Sequence, residues 1–213
     1  MQVIVTCNIA HGSHNQVMDH TLERPVASST AMNLLLNRQS SGALVEPAPS
    51  GADLDLIFDA GLRAPDHGRL RPWRFVLIRG DAKAAWAERV ADCIRQRDPE
   101  NAPAMIEKYR AWVQRTPLIV ALGVEVQAGH KIPEIEQLLS AGAAAMNMLN
   151  AAHVLGYGGM WVTGPNAYDP KVAAALGLEA PSRLVGFLAL GTPRPGPPLA
   201  RPSREAHVRE WRG

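Results

Sequence analysis

Pro117-Leu118-Ile119-Val120-Ala121-Leu122-Gly123-Val124 runs for eight residues without one hydrogen-bonding or charged side chain. A half-exposed strand alternates apolar and polar positions, so this uninterrupted run predicts a strand covered on both faces. Covering both faces takes helices, and candidates lie on either side. Upstream, Leu54, Ile57, Phe58 and Leu62 recur at helical spacing, and Ser50-Gly51-Ala52-Asp53 has the form of a capped start for that helix. The β-prone Phe75-Val76-Leu77-Ile78 follows. Asp81 is placed to cap a helix that turns Ala85, Trp86, Val90 and Ile94 toward a core and stops near Arg97-Asp98-Pro99, because proline disfavours continuation. A more polar helix is expected from Ala102 to Gln114.

Downstream, the segment from Glu134 to Leu155 is rich in Ala, Leu and Met and almost uncharged beyond Gln137. It predicts a fully buried helix, apolar all round, in a core or at a subunit interface. Tyr157-Gly158-Gly159-Met160-Trp161-Val162 reads as a glycine-led strand, Asp169-Pro170 opens a small helix through Leu176, and Leu184 to Gly191 makes the last core strand. A short helix from Ser29 to Asn37 precedes them all. Irregular alternation of helix and strand favours a layered α/β or α+β domain over a bundle or a sandwich.

The chain of 213 residues is long enough for one well-buried core, and its 46% apolar and 20% charged residues are ordinary for a globular protein. Residues 31–195 form the domain. Residues 1–30 are the least core-like part and are read as a flexible N-terminal extension, or as sequence ahead of a start at Met18 or Met32, which leaves His11, His14 and His20 outside any metal site. Residues 196–213, rich in Pro, Arg and Gly, are read as a tail that is either extended or wrapped over a partner subunit. A net charge of +2 without a basic stripe argues against nucleic acid, and no apolar run reaches the length of a membrane span. Cys7 and Cys93 form no CxxC, so reduced thiols and a cytoplasmic location are the default.

The cations concentrate in Arg63-Ala64-Pro65-Asp66-His67-Gly68-Arg69-Leu70-Arg71-Pro72-Trp73, at a predicted helix-to-strand junction. Guanidinium groups clustered on a loop suit a multiply charged oxyanion such as a phosphate, and Arg38, Gln39 and Ser40 after the first helix offer a second cluster. Standard nucleotide motifs are missing. Gly156-Tyr157-Gly158-Gly159 follows a helix and precedes a strand, the reverse of a dinucleotide fingerprint, and there is no GxxxxGK[ST]. Nor is there a GxSxG or an HExxH, so nucleophilic and metal-assisted hydrolysis lack their parts, leaving only Asp66 and His67 as a conceivable acid and base pair. What remains is a protein whose cofactor carries the reaction while side chains bind it.

Taken together, Asn37-Arg38-Gln39-Ser40, Glu46-Pro47-Ala48-Pro49, the loop from Arg63 to Trp73, Gly158-Gly159-Met160-Trp161 and Gly186 through Pro193 resemble the nitroreductase family, in its small YdjA-type branch. The resemblance runs from about Met32 to Pro193. It implies an α+β fold with a central, mostly antiparallel sheet flanked by helices, in an intertwined homodimer holding FMN at the interface. It further implies that Arg38, Gln39 and Ser40 hold the phosphate and ribityl region from one subunit while Arg63 and His67 reach the flavin from the other. Trp161, Val162 and Thr163 would line the flavin, Ala151, Ala152, His153, Val154, Leu155 and Gly156 would lie near the nicotinamide of NADH or NADPH, and Arg194 would be a further phosphate ligand. No catalytic side chain is implied. The activity implied is hydride transfer from NAD(P)H through FMN to a small-molecule electron acceptor, a nitroaromatic or quinone, by a ping-pong scheme. Dehalogenation, oxygen-dependent flavin fragmentation and a non-catalytic FMN-binding dimer are the alternatives on the same fold. Two departures stand out: Arg71 replaces an amide before Pro72-Trp73, and Gln39 replaces a second arginine.

Overall fold

The buried run around Val120 is the middle of the molecule. In the computed structural model, which describes residues 29–197 and 199–213, the elements follow in the order α1 (Ser29–Asn37), β1 (Leu44–Val45), α2 (Gly51–Gly61), β2 (Trp73–Ile78), α3 (Ala82–Arg97), α4 (Ala102–Arg115), β3 (Leu118–Val124), α5 (Glu134–Val154), β4 (Gly158–Val162), α6 (Pro170–Ala175) and β5 (Arg183–Pro193). β3 lies between β2 and β5, β4 takes the other edge of β5, and β1 adds two residues to the end of β5. Every pairing is antiparallel.

Side-chain alternation along β3 divides the core into two. Ile119 and Ala121 face Trp86, Val90 and Ile94 of α3, Ile106 and Val113 of α4, and Val172 of α6. Leu118, Val120, Leu122 and Val124 face Leu54 and Ile57 of α2 and Ala141, Ala144, Ala145 and Met148 of α5. All seven residues of β3 are buried, so the absence of polar alternation has the predicted cause.

One irregularity positions a later site residue. Leu122 pairs with Gly186 but Gly123 pairs with Leu184, leaving Val185 as the extra residue of a bulge. The bulge lets Leu184 and Phe187 both enter the α3–α4 core while Val185 turns to the other. Gly186 has φ 152°, and a Cβ there would lie 2.3 Å from Trp161 Nε1 and 2.9 Å from the Val162 carbonyl. Gly186→Ala is therefore expected to lower the unfolding free energy by about 2–3 kcal/mol, through overpacking and an unfavourable backbone region. Urea denaturation reads this directly, and a loss below about 0.5 kcal/mol would mean the indole has room to move.

Several local expectations change. β2 begins at Trp73, two residues earlier than expected, because Trp73 pairs with Val124 and Pro72 accepts a bond from Glu125 N. Asp81 precedes α3 with helical φ/ψ and no capping bond, and Ser50 also makes none, although its backbone is extended as an N-cap requires. Ala85 is exposed, since the buried face of α3 is Trp86, Ala87, Val90, Ala91 and Ile94. The largest correction concerns α5. One sheet can cover only one side of a helix, so Ile135 (59% exposed), Leu139 (65%), Met146 (47%) and Val154 form an uncovered apolar stripe. The flexible extension expected over residues 1–30, with its histidines, lies outside the described residues except for Ser29 and Thr30, which open α1. No described helix is long and apolar enough to cross a membrane.

Candidate functional site

The cationic loop is built on α5. After α2 ends, Arg63 N and Ala64 N bond back to the carbonyls of Ala60 and Gly61, and Ala64 and Trp73 are buried as anchors at either end. Ser140 Oγ of α5 donates to the Pro65 carbonyl at 2.8 Å, and His67 Nδ1 lies 2.5 Å from Glu136 Oε2. Gly68 takes φ 72°, and a Cβ there would fall 2.2 Å from Ile132 Cδ1, so a side chain would have to displace Ile132 and strain the backbone, which favours glycine. Arg69 and Arg71 also hold positive φ, 57° and 50°, a conformation that costs a side-chain-bearing residue about 1–2 kcal/mol. The Asp66 carboxylate stabilises the turn by accepting Arg71 N at 2.7 Å.

These contacts remove Asp66 and His67 as an acid and base pair, because each is engaged by a different partner. Arg63, Arg69 and Arg71 are exposed, and among the described residues none has a carboxylate partner.

The second cluster lies elsewhere. Arg38 continues α1 by one bond to Leu34, and Ser41 N donates to Gly159 of β4 at 3.0 Å, which fixes Arg38, Gln39 and Ser40 beside the start of β4. The tail returns to this segment of its own chain: Gln39 Oε1 accepts Leu199 N at 3.0 Å, and Arg201 Nη2 donates to the Arg38 carbonyl at 2.6 Å. Arg201 thus brings a second guanidinium to the position where Gln39 has none. Arg201 was not among the sequence-based candidates, although the tail is rich in cations. Arg194, the residue chosen instead, donates its backbone N–H to Ala43, and its cavity contains Lys83, Arg115 and Glu46 but not Arg38. Neither Arg38 nor Arg201 has a carboxylate partner among the described residues. Two guanidiniums and the Ser40 hydroxyl suit a phosphate group, with the cations offsetting the negative C-terminal end of α1.

Ala151 to Gly156 form the last turn of α5 and its exit. Leu155 N, Gly156 N and Tyr157 N bond to Ala151, His153 and Ala152 carbonyls, with Gly156 at φ 87° closing the helix. Ala152 is fully enclosed in the core, while Val154 and Gly156 are exposed. In β4, Gly159 is small because Leu149 and Leu190 press on it, and Gly158 because Pro193 and Leu44 do. Trp161 is half-buried, packed over Gly186 with its Nε1 unpartnered, and Val162 and Thr163 end the strand at an apolar cavity beside α4.

One chain keeps the two clusters apart. Glu136 and Ser140, which hold the His67 loop, are near the start of α5, whereas Ser41 bonds to Gly159 of β4, which packs against Leu149 in the last two turns of the helix. At 1.5 Å per residue the helix separates Glu136 from Leu149 by about 20 Å.

The model of the Nitroreductase family matches residues 35–192, from within α1 to within β5, and includes every sequence-based site candidate except Arg194. The chain belongs to the nitroreductase family. It is 39% identical over 165 residues, 77% of this chain and 88% of the other, to a protein of Escherichia coli (strain K12) named "Putative NAD(P)H nitroreductase YdjA". Among solved structures, the nitroreductase-like family protein from Bacillus cereus superimposes with a TM-score of 0.73 at 20% identity, covering 86% of this chain and 96% of that one. A structure from Desulfovibrio desulfuricans described as a "putative nitroreductase in complex with fmn" gives 0.66 at 25% identity, covering 86% and 98%. The shared fold is an open antiparallel sheet flanked by helices, as in the nitroreductases.

Proposed function

We propose that this nitroreductase-family chain is an FMN-dependent oxidoreductase that works as a homodimer. The observation that supports the reading most is the exposed apolar stripe of α5, with one cationic cluster held near its start at Glu136 and Ser140 and the other beside β4 near Leu149. Two copies packing α5 against α5 about a two-fold axis run the helices antiparallel. Each Arg63–Trp73 loop then meets the Arg38–Ser40 segment of the other subunit, and Ile135, Leu139 and Met146 leave water. Arg38, Ser40 and Arg201 hold the FMN phosphate, with Gln39 tying the tail and Arg194 a more distant positive charge. Trp161, Val162 and Thr163 line the ring from the same subunit, and Arg63 and His67 approach it from the other.

Bound FMN would supply the hydride relay between NADH or NADPH and an oxidised acceptor such as a nitroaromatic or quinone, in two half-reactions. The chain needs no acid or base for this. Its work is to place donor and acceptor over the ring in turn, beside the Ala151–Gly156 turn, and to offer positive charge from Arg63 where electron density accumulates. Absence of metal-site motifs and of a nucleophile leaves these side chains in binding roles.

The test is FMN titration of wild-type protein and Arg38→Ala by flavin fluorescence, in low and high salt. A charge-assisted bond contributes about 1.5–3 kcal/mol, so Arg38→Ala is expected to weaken FMN by at least tenfold, and Arg201→Ala by a comparable factor. Unchanged affinity in both would remove the phosphate assignment. Anaerobic bleaching of the bound flavin by NADH or NADPH, followed by reoxidation with a nitroaromatic, separates a reductase from a non-catalytic flavin binder.

A further inference from the structure

A cavity of about 440 Å³ opens between α4 and the residues that follow β4, a size suited to a small organic molecule. Met105, Lys108, Tyr109, Trp112 and Arg115 recur three or four residues apart, so they share one face of α4, and that face is the cavity wall. Phe187 and Ile94 close the floor. Tyr109 and Trp112 have ring centroids 5.6 Å apart, and Trp112 meets Phe187 edge-on at 6.2 Å. The Tyr109 hydroxyl already accepts Trp86 Nε1 at 2.8 Å, and burial pushes its pKa well up, so it stays neutral. The interior is thus a dry aromatic surface.

The rim has the opposite character. Lys108 and Arg115 line it, no carboxylate does, and neither cation has a carboxylate partner among the described residues. Arg110, on the same helix but turned away from the cavity, is held by Glu88 through two bonds at 2.7 and 2.5 Å. Among the described residues, the cations of α4 without a carboxylate partner are the two at the cavity, while Glu107, also without an ion-pair partner, does not line it. Arg115 also lines an adjoining cavity with Lys83 and Arg194, where Glu46 is the sole carboxylate, so positive charge exceeds negative at this end.

We propose that this cavity binds a planar aromatic monoanion, its ring against Trp112, Tyr109 and Phe187 and its anionic group at Lys108 and Arg115. Aromatic walls supply the apolar contact, and the cations select for charge because they have no competing partner. Binding is a property of one chain. Only its use in electron transfer rests on the flavin reading, through the shared wall of Val162 and Thr163.

The probe is 4-nitrobenzoate, titrated calorimetrically into the full-length protein as purified, with neutral nitrobenzene as the control. Tighter binding of 4-nitrobenzoate than of nitrobenzene is expected, with a loss of tenfold or more in a Lys108→Met, Arg115→Met double variant. Both substituted side chains are exposed, so the fold is retained, and FMN affinity, measured on the same samples, should not change. Equal affinity for the two probes, or 4-nitrobenzoate binding that survives the double substitution, would overturn the proposal. Failure of the flavin reading shows separately, as FMN affinity indifferent to Arg38→Ala and Arg201→Ala, and leaves the anion titration standing.

Discussion

Leu139→Asp is expected to convert the proposed dimer to monomers and to weaken FMN binding by at least a hundredfold. Leu139 is 65% exposed in a single chain and lies mid-stripe between Ile135 and Met146. A carboxylate there faces its symmetry mate or an apolar surface, and an unpaired buried charge costs several kcal/mol. The isolated chain should hardly notice, because the position is at its surface and such substitutions usually shift stability by less than about 0.5 kcal/mol. Sedimentation, a thermal melt and flavin titration on one sample separate these effects. A variant that stays dimeric with full FMN affinity would place the interface away from α5. A monomer that still binds FMN as the parent does would put the whole site in one chain.

The second large effect is one of stability. Asp169 is nearly enclosed, with 6% of its side chain exposed, and it accepts Arg97 Nη1 at 2.5 Å and Lys171 N, the first-turn donor of α6, at 2.9 Å. Arg97 also donates to Asn166 Oδ1 at 2.7 Å, so one ion pair ties the end of α3 to the turn after β4 and to α6. Asp169→Ala strands a partly buried guanidinium and removes a helix cap, and is expected to lower the unfolding free energy by about 3–5 kcal/mol. An Arg97→Met, Asp169→Leu double variant should recover much of that loss, since neither charge is then left unpaired. A loss under 1 kcal/mol for the single variant would show that solvent reaches Arg97 freely.

Legibility in the sequence followed how local each cause is. α1 and α6 begin and end within a residue of expectation because helical spacing and proline act over a few residues. The same local rule failed at Asp81 and Ser50, where the residue type favours capping but the side chain makes no bond. Trp73 was assigned to the loop because strand pairing with Val124 is a long-range event, invisible in Arg71-Pro72-Trp73 itself. The clustering of Arg38, Gln39 and Ser40 was legible in the sequence, whereas Arg201 lies 163 positions from the carbonyl it bonds and no spacing rule connects them.

By itself the sequence determined a layered architecture, since burial of every residue in β3 demands cover on both faces, and it determined which loop carries the cations; the antiparallel order was implied only by the family resemblance. Tertiary structure decided three things. It decided that α5 is covered on one side only, because a single sheet cannot enclose a helix. It decided that the bulge at Val185 needs glycine at 186 to seat Trp161. And it decided that the two cationic clusters stand apart in one chain, because α5 is a rigid rod of 21 residues that holds one loop at Glu136 and Ser140 and meets β4, to which the other segment bonds, at Leu149.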